Sequence, residues 1–131
     1  MRSSVNWLDI LDWSFDEIEN LRFAGYLYVK QGKYDIALTY FEALSILSPN
    51  NSYELQTLGA IYLQKGKNLE ALNYLDQALK IDPSHYPTQL NKAKALLSLG
   101  YKKQAFNQAK TLENCKDLEI ASQATAILLS F

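Results

Sequence analysis

The sequence predicts an all-α fold in which pairs of helices stack side by side as an α-solenoid. Three observations predict this fold class: the chain repeats itself every 34 residues, apolar residues recur at helical spacing inside each repeat, and glycine or proline separates the helical stretches. A single helix pair cannot bury its apolar face alone, so neighbouring pairs have to cover one another. We therefore expect three helix pairs followed by a C-terminal capping helix.

The repeat appears when the chain is aligned with itself at an offset of 34 residues. Nine identical pairs then coincide, namely Leu21/Leu55, Gly25/Gly59, Tyr28/Tyr62, Gly32/Gly66, Lys33/Lys67, Ala37/Ala71, Leu38/Leu72, Tyr40/Tyr74 and Pro49/Pro83. An unrelated segment of this composition would give about two identities. A weaker third copy pairs Gly66/Gly100, Ala71/Ala105 and Leu63/Leu97. The repeats are expected over residues 18–51, 52–85 and 86–117.

Each repeat has the pattern of two helices. In the second copy, apolar residues fall three and four positions apart on both sides of Gly66, and Pro83 closes the pair because proline cannot continue a helix. Gly25 and Gly59 lie inside the first helix of their repeats, where glycine costs about 1 kcal/mol relative to alanine. We expect the second helix of each pair to approach closely at these two glycines.

The first repeat begins with a helix-start signal. Ser14 and Glu17 have the spacing of a capping box, in which each side chain bonds the backbone of the other residue. Trp13 and Ile18 form the apolar staple that accompanies such a box. The first repeat helix is therefore expected to begin near Phe15.

The two ends of the chain carry apolar residues outside the repeats. Residues 1–14 are predicted to form an N-terminal extension with a short helix between Val5 and Leu11. Three of its apolar side chains are candidates for self-association or for contact with another protein: Trp7, Leu8 and Leu11. Residues 118–131 are predicted to form the capping helix. Its apolar stripe consists of Ile120, Ala124, Ile127, Leu128 and Phe131.

The repeat pattern, L-x2-L-G-x2-Y followed by A-x3-L-x2-A and a proline, resembles the tetratricopeptide repeat. The second copy fills this pattern with Leu55, Leu58, Gly59, Tyr62, Ala71, Leu75, Ala78 and Pro83. The first copy fills it with Leu21, Ala24, Gly25, Tyr28, Ala37, Phe41, Leu44 and Pro49. The resemblance implies a right-handed superhelix whose concave side is lined by the first helix of each pair.

By that resemblance, the concave side forms a partner-binding groove. The residues predicted to line it are Arg22, Tyr26, Val29, Lys30, Tyr53, Gln56, Ala60, Leu63, Leu90, Lys94 and Leu97. Within each helix they share one sector of the helical wheel, away from the Gly/Ala face. For Leu63 and Leu97 the alternative is a place in the core. Because Tyr26 and Ala60 stand where carboxylate-binding repeats carry asparagines, the groove is suited to an apolar segment of another protein.

The composition excludes several other functions. Thirteen Lys and Arg against fourteen Asp and Glu give a net charge of −1, which argues against capture of nucleic acid or of an anionic membrane. All five glycines lie in repeat positions, so none is left for a phosphate-binding loop. The single histidine, His85, is expected to be an exposed loop residue, and the single cysteine, Cys115, a small buried or half-buried one. We expect no catalytic residue, no metal site and no cofactor.

The charges are unevenly distributed along the chain. Residues 1–20 carry five acids and one base, whereas residues 86–116 carry six lysines and one acid. Few aromatic residues accompany these lysines, and the stretch has no arginine, so nucleic-acid binding is the weaker interpretation. An acidic partner, or a head-to-tail contact with the N-terminal segment, fits the charges better.

Two stretches, LRFAGYLYVKQGKYDIALTYFEAL and QTLGAIYLQKGKNLEALNYLDQAL, resemble the tetratricopeptide chaperones of bacterial type III secretion systems. The resemblance implies a cytoplasmic chaperone that keeps an apolar segment of a secreted subunit covered until export. The short chain favours the needle-subunit type, closest to chlamydial versions, which acts with a small helical co-chaperone and forms a homodimer when alone. The alternatives are a chaperone of translocator proteins and a general scaffold that links other proteins. We expect no signal peptide and no membrane-spanning stretch, because acids interrupt the first apolar stretch and the longest apolar runs are far shorter than about 20 residues.

Overall fold

The computed structural model describes residues 6–131, which form eight α-helices and no strand. The helices are α1 (Trp7–Leu11), α2 (Phe15–Lys30), α3 (Tyr34–Leu47), α4 (Ser52–Gln64), α5 (Asn68–Ile81), α6 (Tyr86–Ser98), α7 (Lys102–Lys110) and α8 (Leu118–Leu129). The pairs α2/α3, α4/α5 and α6/α7 pack in chain order, and α8 packs on α6 and α7. The predicted α-solenoid of three helix pairs with a C-terminal helix is confirmed.

The turn inside each helix pair has the same backbone geometry. Gly32, Gly66 and Gly100 each follow the first helix with φ of +73°, +77° and +86°, a left-handed conformation that glycine adopts without a steric cost. In the first pair, Gly32 N–H donates to the Val29 carbonyl at 3.0 Å and Lys33 N–H donates to the Tyr28 carbonyl at 2.9 Å. These two bonds define a Schellman motif, which satisfies carbonyls at the helix end. The first helix of each pair is therefore ended by the same device.

The glycines inside the first helices are sites of close helix approach, as predicted. A Cβ atom added to Gly59 would lie 2.6 Å from Leu75 Cδ2 and 2.7 Å from Leu75 Cγ. At Gly25 the added atom would lie 3.0 Å from Phe41 Cε2. The second helix of each pair thus occupies the space that a side chain would need.

The core is a series of clusters and not one central core. The first cluster lies between the first two helix pairs and consists of Ile18, Ala37, Leu38, Phe41, Leu44, Leu58 and Ile61. A small cluster of Ala71, Leu75 and Ala95 follows it. The last cluster joins α6 and α7 to the capping helix and consists of Leu90, Ala93, Ala109, Leu112, Ile120, Ala124 and Ile127. Each helix pair is therefore covered by its neighbours along the chain.

The capping helix covers the last pair with the predicted stripe. Ile120, Ala124 and Ile127 are buried, and Leu128 packs against the same cluster. Phe131 is half exposed, and its ring makes an edge contact with Phe106 at 5.6 Å between centroids. The end of the stripe is thus a surface contact between two aromatic rings.

The N-terminal helix-start signal forms as predicted. The Ser14–Glu17 capping box is present, and α2 begins at Phe15. Trp13 packs against the cluster that contains Ile18, as the staple requires. These contacts fix the first turn of α2 against the core.

The short N-terminal helix is capped by Asn6, whose Oδ1 accepts from Leu8 N–H at 3.1 Å. Val5, the predicted start of this helix, lies outside the described residues. Leu8 packs against the first core cluster, whereas Trp7 and Leu11 are 42% and 44% exposed. Of the three predicted contact residues, only these two are exposed. No helix in the described part of the chain is both long and apolar enough to span a bilayer.

Candidate partner-binding groove

Three adjoining clefts cross the first helices of the three pairs. The aromatic cleft, about 330 Å³, lies between α2, α4 and the start of α6, with Tyr26, Val29, Tyr53 and Ala60 among its lining residues. An outer cleft of about 220 Å³ is lined by Glu19, Arg22, Phe23, Tyr26 and Tyr53. The polar cleft, about 670 Å³, is lined by Ala60, Leu63, Gln64, Gly66, Asn68, Asn91, Lys94, Leu97 and Ser98. Neighbouring clefts share lining residues, so together they form one groove.

Most of the residues predicted to line a groove are brought together here. Nine of the eleven line the three clefts: Arg22, Tyr26, Val29, Tyr53, Gln56, Ala60, Leu63, Lys94 and Leu97. A tenth, Lys30, lies beside the groove with its ammonium group 5.4 Å from the centroid of the Tyr26 ring. Whether these residues bind a partner stays a prediction.

The prediction for Leu90 is wrong. Leu90 is only 4% exposed and belongs to the last core cluster, because α8 packs on α6 and covers this side of the helix. For Leu63 and Leu97 both alternatives apply, because each leucine belongs to the groove and to the edge of the core. Each is half-buried against a core cluster and also lines the polar cleft.

Two tyrosines, Tyr26 and Tyr53, line both the aromatic cleft and the outer cleft. Tyr26 is 42% exposed, while Tyr53 is half-buried with its ring 6.3 Å from that of Phe41. The Arg22 guanidinium lies 5.7 Å from the centroid of Tyr53. Burial raises the pKa of the Tyr53 phenol, although the charge of Arg22 acts in the opposite direction. Tyr53 is therefore a partly desolvated neutral group, suited to apolar contact and a single hydrogen bond.

A buried ion pair lies beneath the outer cleft. Arg22 Nε donates to Glu54 Oε1 at 2.6 Å, and Glu54 is fully buried. Arg22 also pairs with Glu19 on its own helix. The hydrogen bond to Glu54 raises the pKa of Arg22, while burial acts in the opposite direction. The other carboxylate oxygen of Glu54 is buried without a hydrogen-bond partner among the described residues.

The same contact recurs one repeat later with neutral groups. Thr88 Oγ1 donates to Gln56 Oε1 at 3.0 Å, and Thr88 is 2% exposed. Gln56 and Thr88 lie 34 residues after Arg22 and Glu54, respectively. Sequence reasoning assigned Arg22 and Gln56 to the groove and missed their partners. The sequence did contain a signal for these partners. Glu54 and Thr88 each stand 32 residues after the groove residue that they contact, and both can form hydrogen bonds.

His85 lies in the loop between α5 and α6, as predicted, but the prediction that it is exposed is wrong. Its side chain is half-buried and caps α6, where Nδ1 accepts from Thr88 N–H at 3.4 Å. Nδ1 also lies 2.7 Å from Thr88 Oγ1. His85 lines the aromatic cleft, so its imidazole is part of the groove wall. Cys115 is half-buried, as predicted.

The described residues contain no group of three or more histidine, cysteine, aspartate or glutamate side chains that could hold a metal ion. The aromatic and polar clefts offer a ligand three tyrosines, small and branched apolar side chains, neutral amides, an imidazole and an ammonium group. These groups can bury an apolar segment and hydrogen-bond to its polar atoms.

Residues 23–51 and 52–85 each match a model of the tetratricopeptide repeat. The chain contains tetratricopeptide repeats. The curated relatives that it matches are much longer proteins, and the chain spans about a tenth of their length.

Three solved structures are similar to this chain over 89% to 98% of its length. A T3SS complex from Aeromonas hydrophila is 23% identical with a TM-score of 0.83, over 97% of this chain and 88% of that one. The type III secretion translocator chaperone SycD of Yersinia enterocolitica is 20% identical with a TM-score of 0.82, over 98% and 100%. PcrH, a Pseudomonas aeruginosa protein solved with the chaperone-binding region of PopD, is 25% identical with a TM-score of 0.80, over 89% and 92%.

Proposed function

We propose that this protein is a type III secretion chaperone that holds an apolar segment of a secreted subunit in its groove. The observation that carries the proposal is the continuous groove of the three clefts, with Tyr26 and Tyr53 at its centre. The likeness to PcrH, which was solved with the chaperone-binding region of PopD, supports it. The protein would act in the bacterial cytoplasm, before export of the subunit.

The mechanism is burial, with no covalent step. An apolar segment in the groove is removed from water, which contributes about 25 cal/mol for each Å² of apolar surface covered. The same segment, left exposed, would associate with other copies of the subunit. A bound chaperone therefore lowers the concentration of free segment and delays assembly of the subunit.

The class of secreted subunit is the finer part of the proposal. The sequence resemblance favours a needle subunit held together with a small helical co-chaperone. The likeness to SycD, a translocator chaperone, and to PcrH favours a translocator protein. Both classes present an apolar segment to the same groove, so one experiment can compare them.

The experiment is co-expression of this protein with the needle and translocator subunits of the same genome. We expect one of these subunits to co-purify as a complex of defined mass, measured by size-exclusion chromatography with light scattering. Tyr26→Asp should abolish the complex, because it places a charge in the aromatic cleft. Leu69→Asp is the matched control, since Leu69 is 61% exposed on α5, outside the three clefts.

The results decide between the chaperone proposal and the general scaffold. Co-purification that survives Tyr26→Asp and is lost with Leu69→Asp would place binding outside the groove and favour the general scaffold. If no secreted subunit of either class co-purifies with the wild-type protein, the chaperone proposal is wrong.

A further inference from the structure

The groove contains an ammonium group, that of Lys94, which pairs with no acid among residues 6–131. Lys94 on α6 is half-buried, and its Nζ donates to Gln123 Oε1 on α8 at 2.9 Å. None of the five ion pairs found among residues 6–131 includes Lys94. A neutral amide oxygen accepts a hydrogen bond but leaves the charge of the ammonium in place. Lys94 therefore has the capacity to bind an anion.

Three other cations, which lie in the groove or on its helices, have contacts of their own. Arg22 pairs with Glu19 and with the buried Glu54. Lys30 lies over the ring of Tyr26. Lys92, two residues before Lys94 on the same helix, pairs with Asp76 at 2.8 Å. Lys94 thus differs from Arg22 and Lys92, which pair with acids, because its hydrogen-bond partner in the described part of the chain is a neutral amide.

The surroundings of Lys94 favour a carboxylate. Lys94 lines the polar cleft, where Asn68, Asn91 and Ser98 carry neutral hydrogen-bonding groups and Leu63 and Leu97 form the apolar part of the wall. Among the described residues, no Asp or Glu lines this cleft or the adjoining aromatic cleft. An incoming carboxylate would therefore meet a half-buried cation without repulsion from an acid of the wall.

We propose that the segment held in the groove carries an Asp or Glu side chain at a fixed distance from an apolar or aromatic one. The apolar side chain fills the aromatic cleft, and the carboxylate pairs with Lys94 in the polar cleft. Ala60 and Gln64 line both clefts, so the two side chains belong to one short segment. The inference rests on the proposed function and specifies the chemistry of the partner.

The test is a selection of random peptides displayed on phage against four proteins: wild type, Lys94→Glu, Lys103→Glu and Tyr26→Asp. We expect wild type to select an apolar or aromatic residue with an acid at a fixed offset. Lys94→Glu should select Lys or Arg at that offset instead. Lys103→Glu makes the same change in net charge at an exposed position of α7 and should select the same peptides as wild type.

The Lys94→Glu variant is designed to preserve the contact between α6 and α8. The amide of Gln123 can rotate so that its NH2 group donates to the new carboxylate. Lys94→Gln is the second variant and removes the charge without reversing it. Circular dichroism melting curves of both variants, compared with wild type, check that the helices remain folded.

Affinities give the quantitative form of the test. For a selected peptide, changing its acid to the matching amide should weaken binding to wild type about tenfold or more, measured by fluorescence anisotropy. The same change should have little effect on binding to Lys94→Gln, because the charge partner is already absent. An equal loss with both proteins would overturn the pairing with Lys94.

The selection separates this inference from the proposed function. Peptides that share an apolar residue but no acid, or that keep the acid with Lys94→Glu, would overturn the inference alone. If the wild-type protein selects no peptides, or if Tyr26→Asp selects the same ones, groove binding itself is wrong and the inference falls with it.

Discussion

Arg22 on α2 donates through Nε to the fully buried carboxylate of Glu54 on α4, at 2.6 Å across the boundary between the first two helix pairs. The equivalent boundary one repeat later is joined by Thr88 and Gln56 at 3.0 Å. A charged pair and a neutral pair therefore occupy the same place in successive repeats. The charged pair makes stability at its boundary depend on both partners being present.

Replacing Arg22 with methionine should destabilise the protein by about 3 kcal/mol, because it leaves Glu54 buried without a cation. The double variant Arg22→Met/Glu54→Leu should lie within about 1 kcal/mol of wild type, since it removes both charges. The measurement is the free energy of unfolding in urea. As a control, Lys65→Met should cost less than about 1 kcal/mol, because its partner Asp35 is 86% exposed.

Gly59→Ala should lower stability although alanine is the better helix former by about 1 kcal/mol. The new methyl group would overlap Leu75, and such overpacking costs about 1–3 kcal/mol. Urea unfolding of Gly59→Ala, Leu75→Ala and the double variant checks the cause. The double variant should be more stable than the sum of the single effects, because Leu75→Ala removes the overlap. Additive effects would contradict the close approach.

The stability of the protein should fall as pH rises past about 10, in part through Tyr53. Burial raises the pKa of Tyr53 in the folded protein above its value in the unfolded chain. Its contribution is therefore complete below the unfolded pKa and is lost as pH rises through the folded pKa. Urea unfolding of wild type and Tyr53→Phe between about pH 8 and pH 11 measures it. The free energy of unfolding should decline less with pH in Tyr53→Phe than in wild type. Equal declines in the two proteins would show that Tyr53 does not contribute to this pH dependence.

The capping helix α8 should contribute to the stability of the protein through its buried face only. Ile127 is 9% exposed in the last core cluster, so Ile127→Ala should cost about 2–4 kcal/mol. Leu129 is 80% exposed on the same helix, and Leu129→Ala should change stability by less than about 0.5 kcal/mol. Thermal unfolding followed by circular dichroism compares the two. Similar losses of stability in the two variants would contradict the burial of Ile127 and the exposure of Leu129.

The surface of α1 should promote self-association of the isolated protein. Trp7 and Leu11 are exposed apolar side chains on this helix, and burying them against a second copy would remove them from water. Trp7→Asp should therefore shift the protein towards monomer at equal concentration, measured by light scattering. Leu129→Asp adds the same charge at an exposed position of α8 and is expected to leave the distribution unchanged.

The fold could be predicted from the sequence because its determinants are local or periodic. Gly59 and Ala71 recur at fixed positions of the repeat, and the Ser14–Glu17 box and Pro83 give boundaries for the helices. Leu90 shows where this reasoning fails. A helical wheel gives the face of α6 that carries Leu90 but does not give the place where α8 packs on that helix.

The groove could be predicted as a face of three helices, but its polar contacts could not. Glu54 is an acid in the first turn of α4, and nothing in its local sequence indicates that it is fully buried. The cation that compensates its burial, Arg22, lies on another helix pair, 32 residues earlier. Likewise, the cap formed by His85 depends on the start of α6 and on Thr88. Contacts of this kind require the three-dimensional arrangement.

The polar contacts at the two boundaries also determine the order in which the repeats can be arranged. If residues 52–85 were duplicated in tandem, the second copy of Glu54 would lie opposite the first copy of Gln56, a neutral amide, and its buried carboxylate would lack a cation. Changing the first Gln56 to arginine would restore the match. The middle repeat is therefore not an interchangeable module, and lengthening this array requires that each Glu54 be introduced together with an arginine in the repeat before it.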